Sequence, residues 1–387
     1  MSKSDFYKSS VYSRRALMAG VLGASAGAAV SQAYGAPHGF FFGFGALQPG
    51  FDLSEALDML QMCNYIYGGA PTPLKPAKWD VVYDPPPLPF FDNKWQLWKM
   101  RGFGGPYAII IRGTVAETGS VVEDLLSLLI KANDKITVDK LEFPYKFADE
   151  PDAAVHLGFA LGALLLLKWP VSGILDKLAS LNIPANTPIY VAGHSQGAAV
   201  ATLIRSYLFY ANSKYPHKTY VFAQPKPGND HYGTDFDSRF SNKGYAFRLT
   251  NSLDWVPQAP FTFEIPSDLN KPNPLDSGAS LSTAATSYIA SLTASQTQAY
   301  NLILEKEKPR IQKGGSALLK TIDLQAGEAG SVDVPLVASL YFTGAGTEVA
   351  LIGQPCNLPG SQCNEWYQHH LSTYSALMRQ QLKSTGL

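Results

Sequence analysis

The sequence predicts an α/β protein, a mostly parallel central sheet flanked by helices, and three observations carry that prediction. Short apolar, partly β-branched runs alternate with longer helical patterns along much of the chain. One such run, Thr187-Pro188-Ile189-Tyr190-Val191-Ala192, passes through Gly193-His194-Ser195-Gln196-Gly197 directly into an Ala- and Leu-rich stretch from Ala198 to Tyr210 that lacks Gly and Pro. With 387 residues, 46% hydrophobic and 16% charged, the chain holds enough apolar material for one large core with insertions.

The elements follow in order. Ser13-Arg14-Arg15-Ala16-Leu17-Met18, an apolar run to about Val30 and small residues near Ala33 to Ala36 resemble a bacterial twin-arginine signal. The expectation is a signal peptide over 1–36 and an exported domain over 37–387, periplasmic or secreted. The apolar run falls short of the roughly 20 residues that span a bilayer, and no later run is longer, so no transmembrane segment is expected in the mature chain. Lys and Arg together equal Asp and Glu at 31 each. That balance leaves no basic field for nucleic acid or an anionic membrane surface.

Leu53 to Tyr67 reads as an amphipathic helix and the Pro-rich stretch from Pro71 to Pro89 as irregular. Tyr107 to Ile111 is a buried strand ending at Arg112-Gly113-Thr114, followed by a bulky apolar helix from Val121 to Ile130. His156 to Leu181 is helical with a break or kink at Pro170. Strands are expected at Thr219 to Ala223 and Tyr245 to Thr250. The less regular 261–335 stretch, with a polar helix near Tyr288 to Glu307, reads as an insertion. Strands at Leu336 to Phe342 and Glu348 to Ile352 and a helix from Trp366 to Leu382 complete the chain. Cys356 and Cys363 bracket a turn-rich loop that either closes as a disulfide or stays reduced, whereas Cys63 sits in the first helical pattern as a core residue.

The strand-turn-helix around Ser195 is the context of a nucleophile elbow, in which glycines two residues either side let the chain turn sharply and lift the serine Oγ above the sheet. A serine hydroxyl needs a base, and the base needs an orienting carboxylate. In chain order the acid precedes the histidine. His217 and His231 leave little room for an intervening acid, so His369 and His370 remain. Asp254 lies just past the Tyr245 strand, where loops at carboxyl strand ends present functional groups; a plain turn aspartate is the competing reading. Oxyanion donors are expected from the backbone N–H of Gln196 and from the loop at Gly113-Thr114, where Thr114 adds its hydroxyl. No H-E-x-x-H or paired-cysteine pattern calls for a metal, and no cofactor is expected.

Several segments together resemble the class 3 (fungal-type) lipase family: Ile111-Arg112-Gly113-Thr114, His156-Leu157-Gly158-Phe159, Gly193-His194-Ser195-Gln196-Gly197, Tyr220 to Asn229, Asn251-Ser252-Leu253-Asp254-Trp255-Val256-Pro257, and His370-Leu371-Ser372-Thr373-Tyr374. They fall in the family's order from about Leu53 to Met378. The resemblance implies an α/β-hydrolase fold with the insertion before the C-terminal histidine, and hydrolysis of lipid esters by Ser195, Asp254 and His370, with Thr114 and Gln196 at the oxyanion hole. It favours His370 over His369 because of the tyrosine that follows. It also makes Val121 to Ile130 a candidate lid, against an ordinary core helix. Gln196 stands where the family has leucine and Lys226 where it has arginine, and 261–335 is long for the family. The alternatives are a phospholipase or an aryl or polymer esterase using the same residues, or a non-catalytic lipid-binding surface protein.

Overall fold

A computed structural model describes residues 47–69, 73–89, 92–113, 127–275, 280–357 and 363–382. The expected signal, Thr114 and the 121–126 part of the expected lid lie outside the described residues. Helix α1 (Leu53–Tyr65) begins at Asp52, whose carboxylate accepts the Glu55 N–H at 2.8 Å. Strands β1 (Trp79–Tyr83), β2 (Trp95–Met100) and β3 (Tyr107–Ile111) follow as an antiparallel meander. Then come β4 (Leu129–Lys131), the hairpin β5 (Asn133–Val138) and β6 (Leu141–Lys146), β7 (Ala154–His156), α2 (Leu157–Lys168) and α3 (Ile174–Ser180). The central unit is β8 (Ile189–His194), α4 (Gln196–Tyr210), β9 (His217–Phe222), α5 (Asp230–Arg239) and β10 (Ala246–Asn251). After it lie α6 (Thr283–Lys320), β11 (Val332–Asp333), β12 (Leu336–Val337), β13 (Thr347–Leu351) and α7 (Leu371–Gln381).

The main sheet runs β1-β2-β3-β8-β9-β10-β13. From β3 to β13 every neighbour is parallel. This is the mostly parallel sheet that the sequence predicts. Central β8 is buried at all six positions, and its side chains alternate between two cores. Ile189 and Val191 join the core under α2 and α4, whereas Tyr190 and Ala192 join the one under α1 and α7. Helix α2 is apolar on every side and almost wholly buried, as a helix roofed by further layers must be.

Between α1 and the sheet sits a polar knot. Glu55 accepts the hydroxyls of Tyr190 at 2.7 Å and Tyr220 at 2.6 Å, and pairs with Lys218 at 2.7 Å. Lys218 is 1% exposed, so Glu55 is the counter-charge that permits its burial.

Several expectations need correction. The Pro71 to Pro89 stretch contains β1, an edge strand paired on β2, although its prolines suggested only irregular chain. Leu129 and Ile130, read as the end of a helix, pair instead with β12 on one side and β7 on the other, which buries this apolar run as a strand. The expected strand from Leu336 to Phe342 is only the two residues of β12. The polar helix near Tyr288 to Glu307 is the middle of a 38-residue helix that continues past Pro309, because Ile311, Ala317 and Leu318 enter the core. Pro170 does interrupt the 156–181 helix, leaving α2 and α3. Cys356 and Cys363 form a disulfide with Cα atoms 5.6 Å apart, and Cys63 is buried and free.

Candidate active site

Ser195 stands where β8 ends and α4 begins, with φ 59° and ψ −135°, a conformation that L-residues seldom adopt. The close passage of the chain sustains it. A Cβ on Gly193 would lie 2.1 Å from the Gly197 carbonyl oxygen, and a Cβ on Gly197 would lie 2.5 Å from that of Ile111. Larger residues at either position would force the strand and helix apart, so the two glycines set the turn that presents the hydroxyl.

The carboxyl end of β10 delivers Asp254. Its Oδ1 accepts the Val256 N–H at 3.0 Å, and its Oδ2 accepts the Tyr374 hydroxyl at 2.8 Å. Tyr374, from α7, in turn accepts the Asn251 N–H at 3.1 Å. Burial, and then the charge of Asp254, push the Tyr374 phenol far above its ordinary range, so it remains a donor. Asp254 is buried with three donors on its two oxygens, His369 being the third. That is the environment of a structured anion and not of a solvated turn.

The histidine differs from the expected one. His369 Nδ1 lies 2.9 Å from Asp254 Oδ2, and its Nε2 lies 2.9 Å from Ser195 Oγ. His370 makes neither bond; it is an exposed residue that opens α7. Both belong to one tight bend, with a 3-10 turn from Tyr367 to His369. Successive side chains on such a turn point about 120° apart, so when one ring faces Ser195 its neighbour faces away. The bend is anchored to the acid loop. Asn251 Nδ2 donates to the Gln368 backbone oxygen at 2.8 Å, and the Trp255 and Trp366 rings lie 5.1 Å apart. With Asp254 ionised, the network gives Nδ1 the proton and leaves Nε2 as the acceptor of the serine hydroxyl.

The family model for lipase (class 3) matches residues 108–264. Over this span the chain is similar to class 3 lipases. The matched lipase segment holds Ser195 and Asp254 and stops well before His369. Among solved structures the chain resembles M37 lipase at 18% identity over 84% of this chain and 92% of that one, with a TM-score of 0.49. It resembles nonglycosylated Yarrowia lipolytica LIP2 lipase at 22% identity over 54% and 74%, with a TM-score of 0.40. Native Rhizomucor miehei lipase in complex with its propeptide is 15% identical over 60% and 75%, with a TM-score of 0.40. No curated protein matches the chain.

Of the expected oxyanion donors, Gln196 is the first residue of α4, where backbone N–H groups and the helix dipole favour negative charge. Thr114 lies outside the described residues. The sequence reading missed Tyr374 as the partner of Asp254, although the same tyrosine drew attention to the His370 segment. It also missed Tyr67 and His194. No local pattern marks Tyr67, and although His194 stands inside the Gly193 to Gly197 motif, its hydrogen-bond partners, Tyr67 and the His369 carbonyl, lie far away in the chain.

Proposed function

We propose that the chain hydrolyses carboxylic esters of lipids through an acyl-enzyme, with Ser195 as nucleophile, His369 as base and Asp254 as the orienting carboxylate. The observation that carries this reading is the pair of 2.9 Å contacts of His369, one to Ser195 Oγ and one to Asp254 Oδ2. In the proposed sequence Ser195 Oγ attacks the ester carbonyl as its proton passes to His369 Nε2. The Gln196 N–H and the loop at Thr114 hold the oxyanion. Collapse of the tetrahedral adduct breaks the bond to the alkoxy group, which leaves as alcohol with the proton from His369. Water then enters with His369 again as base, and the acid departs. Asp254 keeps the imidazole in the Nδ1–H tautomer and stabilises the imidazolium between the two proton transfers.

The division into an exported domain, 37–387, with an insertion over 261–335, and the twin-arginine route proposed for 1–36, rest on the sequence patterns alone. The test of the chemistry is a fluorophosphonate probe, with peptide mapping of the labelled site, beside a panel of triacylglycerols, phospholipids and aryl esters. Labelling at Ser195 and ester hydrolysis that falls by about three decades or more in Ser195→Ala, with the fold retained, are expected. Full activity in that variant would overturn the proposal.

A further inference from the structure

A second chain of hydrogen bonds reaches His369 at its backbone carbonyl. The Gly113 N–H, at the end of β3, donates to the Tyr67 hydroxyl at 3.1 Å. The Tyr67 oxygen lies 3.0 Å from His194 Nδ1, and His194 Nε2 lies 2.9 Å from the carbonyl oxygen of His369.

The proton positions along this string follow from one end. A carbonyl oxygen only accepts, so His194 Nε2 carries a proton. Burial first, and then the neighbouring His369, depress the basicity of His194 well below the ordinary histidine range, so its ring is neutral. A neutral ring with Nε2 protonated has a lone pair at Nδ1, and the Tyr67 hydroxyl must donate to it. The hydroxyl oxygen is then left to accept the Gly113 N–H, which fits its position. Burial also raises the Tyr67 phenol far above its usual value, so it keeps the proton that it donates.

We propose that Tyr67 and His194 are positioning residues for ester hydrolysis: the Tyr67 hydroxyl locks His194 in the Nε2–H tautomer, which holds the His369 backbone against the end of β8. The proposal rests on the reading of His369 as the base. Its consequence is both geometric and electrostatic. Asp254 fixes only the His369 ring, whereas His194 fixes the peptide from which that ring projects. The His194 and His369 rings lie 4.6 Å apart, tilted by 35°. A proton on His194 would therefore set a positive charge beside His369 when the latter becomes imidazolium, and would disfavour the step that makes Ser195 nucleophilic. The tyrosine removes that risk by occupying the only nitrogen at which His194 can take a second proton. The same hydroxyl ties the string to Gly113, the first residue of the expected Gly113-Thr114 oxyanion loop.

The test uses Tyr67→Phe, His194→Gln and His194→Leu in the full chain, with a short soluble ester as substrate and nitrogen-15 NMR of the imidazoles between pH 5 and 8. In the parent protein His194 is expected to remain neutral with the proton on Nε2 throughout that range. In Tyr67→Phe its tautomer is expected to become mixed or to titrate, with kcat falling about tenfold and KM changing less than twofold. His194→Gln, whose amide N–H can still reach the His369 carbonyl, is expected to retain several-fold more activity than His194→Leu at comparable thermal stability. Parent-like kcat and an unchanged tautomer in Tyr67→Phe would overturn the proposal, as would a parent His194 that titrates as an ordinary histidine. Fluorophosphonate labelling of the parent separates the two readings. An unlabelled Ser195 defeats the acyl-enzyme reading itself, while a labelled Ser195 with an indifferent Tyr67→Phe defeats only the positioning role.

Discussion

Replacing each of two adjacent histidines in turn discriminates most sharply between the sequence reading and the folded chain. His369→Gln removes the acceptor 2.9 Å from Ser195 Oγ and the donor 2.9 Å from Asp254 Oδ2 together. A glutamine amide cannot take up the serine proton. Loss of a member of such an arrangement typically costs about three decades or more in kcat, or about 4 kcal/mol of transition-state stabilisation. His370→Gln changes a side chain that is exposed and bonds to neither Ser195 nor Asp254, so its effect belongs with ordinary surface substitutions, within about 0.5 kcal/mol or a factor of about two. The assay is the initial rate on a short-chain aryl ester at mildly alkaline pH, with thermal unfolding run beside it to confirm that both variants fold. If His370→Gln loses three decades while His369→Gln stays near the parent rate, the assignment of the base is refuted.

Two further outcomes follow from buried charge. Glu55→Gln keeps a hydrogen-bonding group beside Tyr190 and Tyr220 but leaves Lys218 buried without its counter-charge, so urea denaturation should show a loss of about 3 kcal/mol or more; a loss under about 1 kcal/mol would mean that the knot is not held by charge. His194 and His217 are both depressed well below ordinary histidine by burial. The unfolded chain therefore binds protons near pH 6.5 that the folded chain refuses. Stability is full above about pH 6.5 and is lost as pH falls below it, by up to about 1.4 kcal/mol per pH unit for each histidine. A melting temperature that stays flat from pH 7 to pH 5 would contradict this.

The parts of the fold that could be read in the sequence are those whose burial is dictated locally. Tyr107 to Ile111 and the β8 run are apolar on both faces because helices cover the sheet on both sides, and such runs announce themselves. The β5-β6 hairpin did not. Its exposed alternation, Asn133-Asp134-Lys135-Ile136-Thr137-Val138, carries few apolar residues, and it turns at Asp139-Lys140 with φ 48° and 73° in place of a glycine signal. At the site, the glycines around Ser195 and the strand-end position of Asp254 were legible because each obeys a local geometric need. The choice between His369 and His370 was not, since it depends on how a one-turn 3-10 segment is rotated by the contacts of Trp366 with Trp255 and of Gln368 with Asn251. Tyr374 fell on the same side of that difficulty: its distance from the histidine along the chain looked like a motif, yet its hydroxyl serves Asp254.

The packing of α7 against α1 has a consequence for how the chain can be cut and rejoined. Tyr67 follows the first described helix and His369 precedes the last, so segments far apart along the described residues meet at the site. Trimming back beyond His369 takes away a direct contact of Ser195 and Asp254, and trimming inward past Tyr67 takes away the partner of His194. A cut at the Asp139-Lys140 turn interrupts no strand of the main sheet. A circularly permuted chain opened there, with its old ends bridged across α1 and α7, would have the two helices that close the site next to each other in sequence.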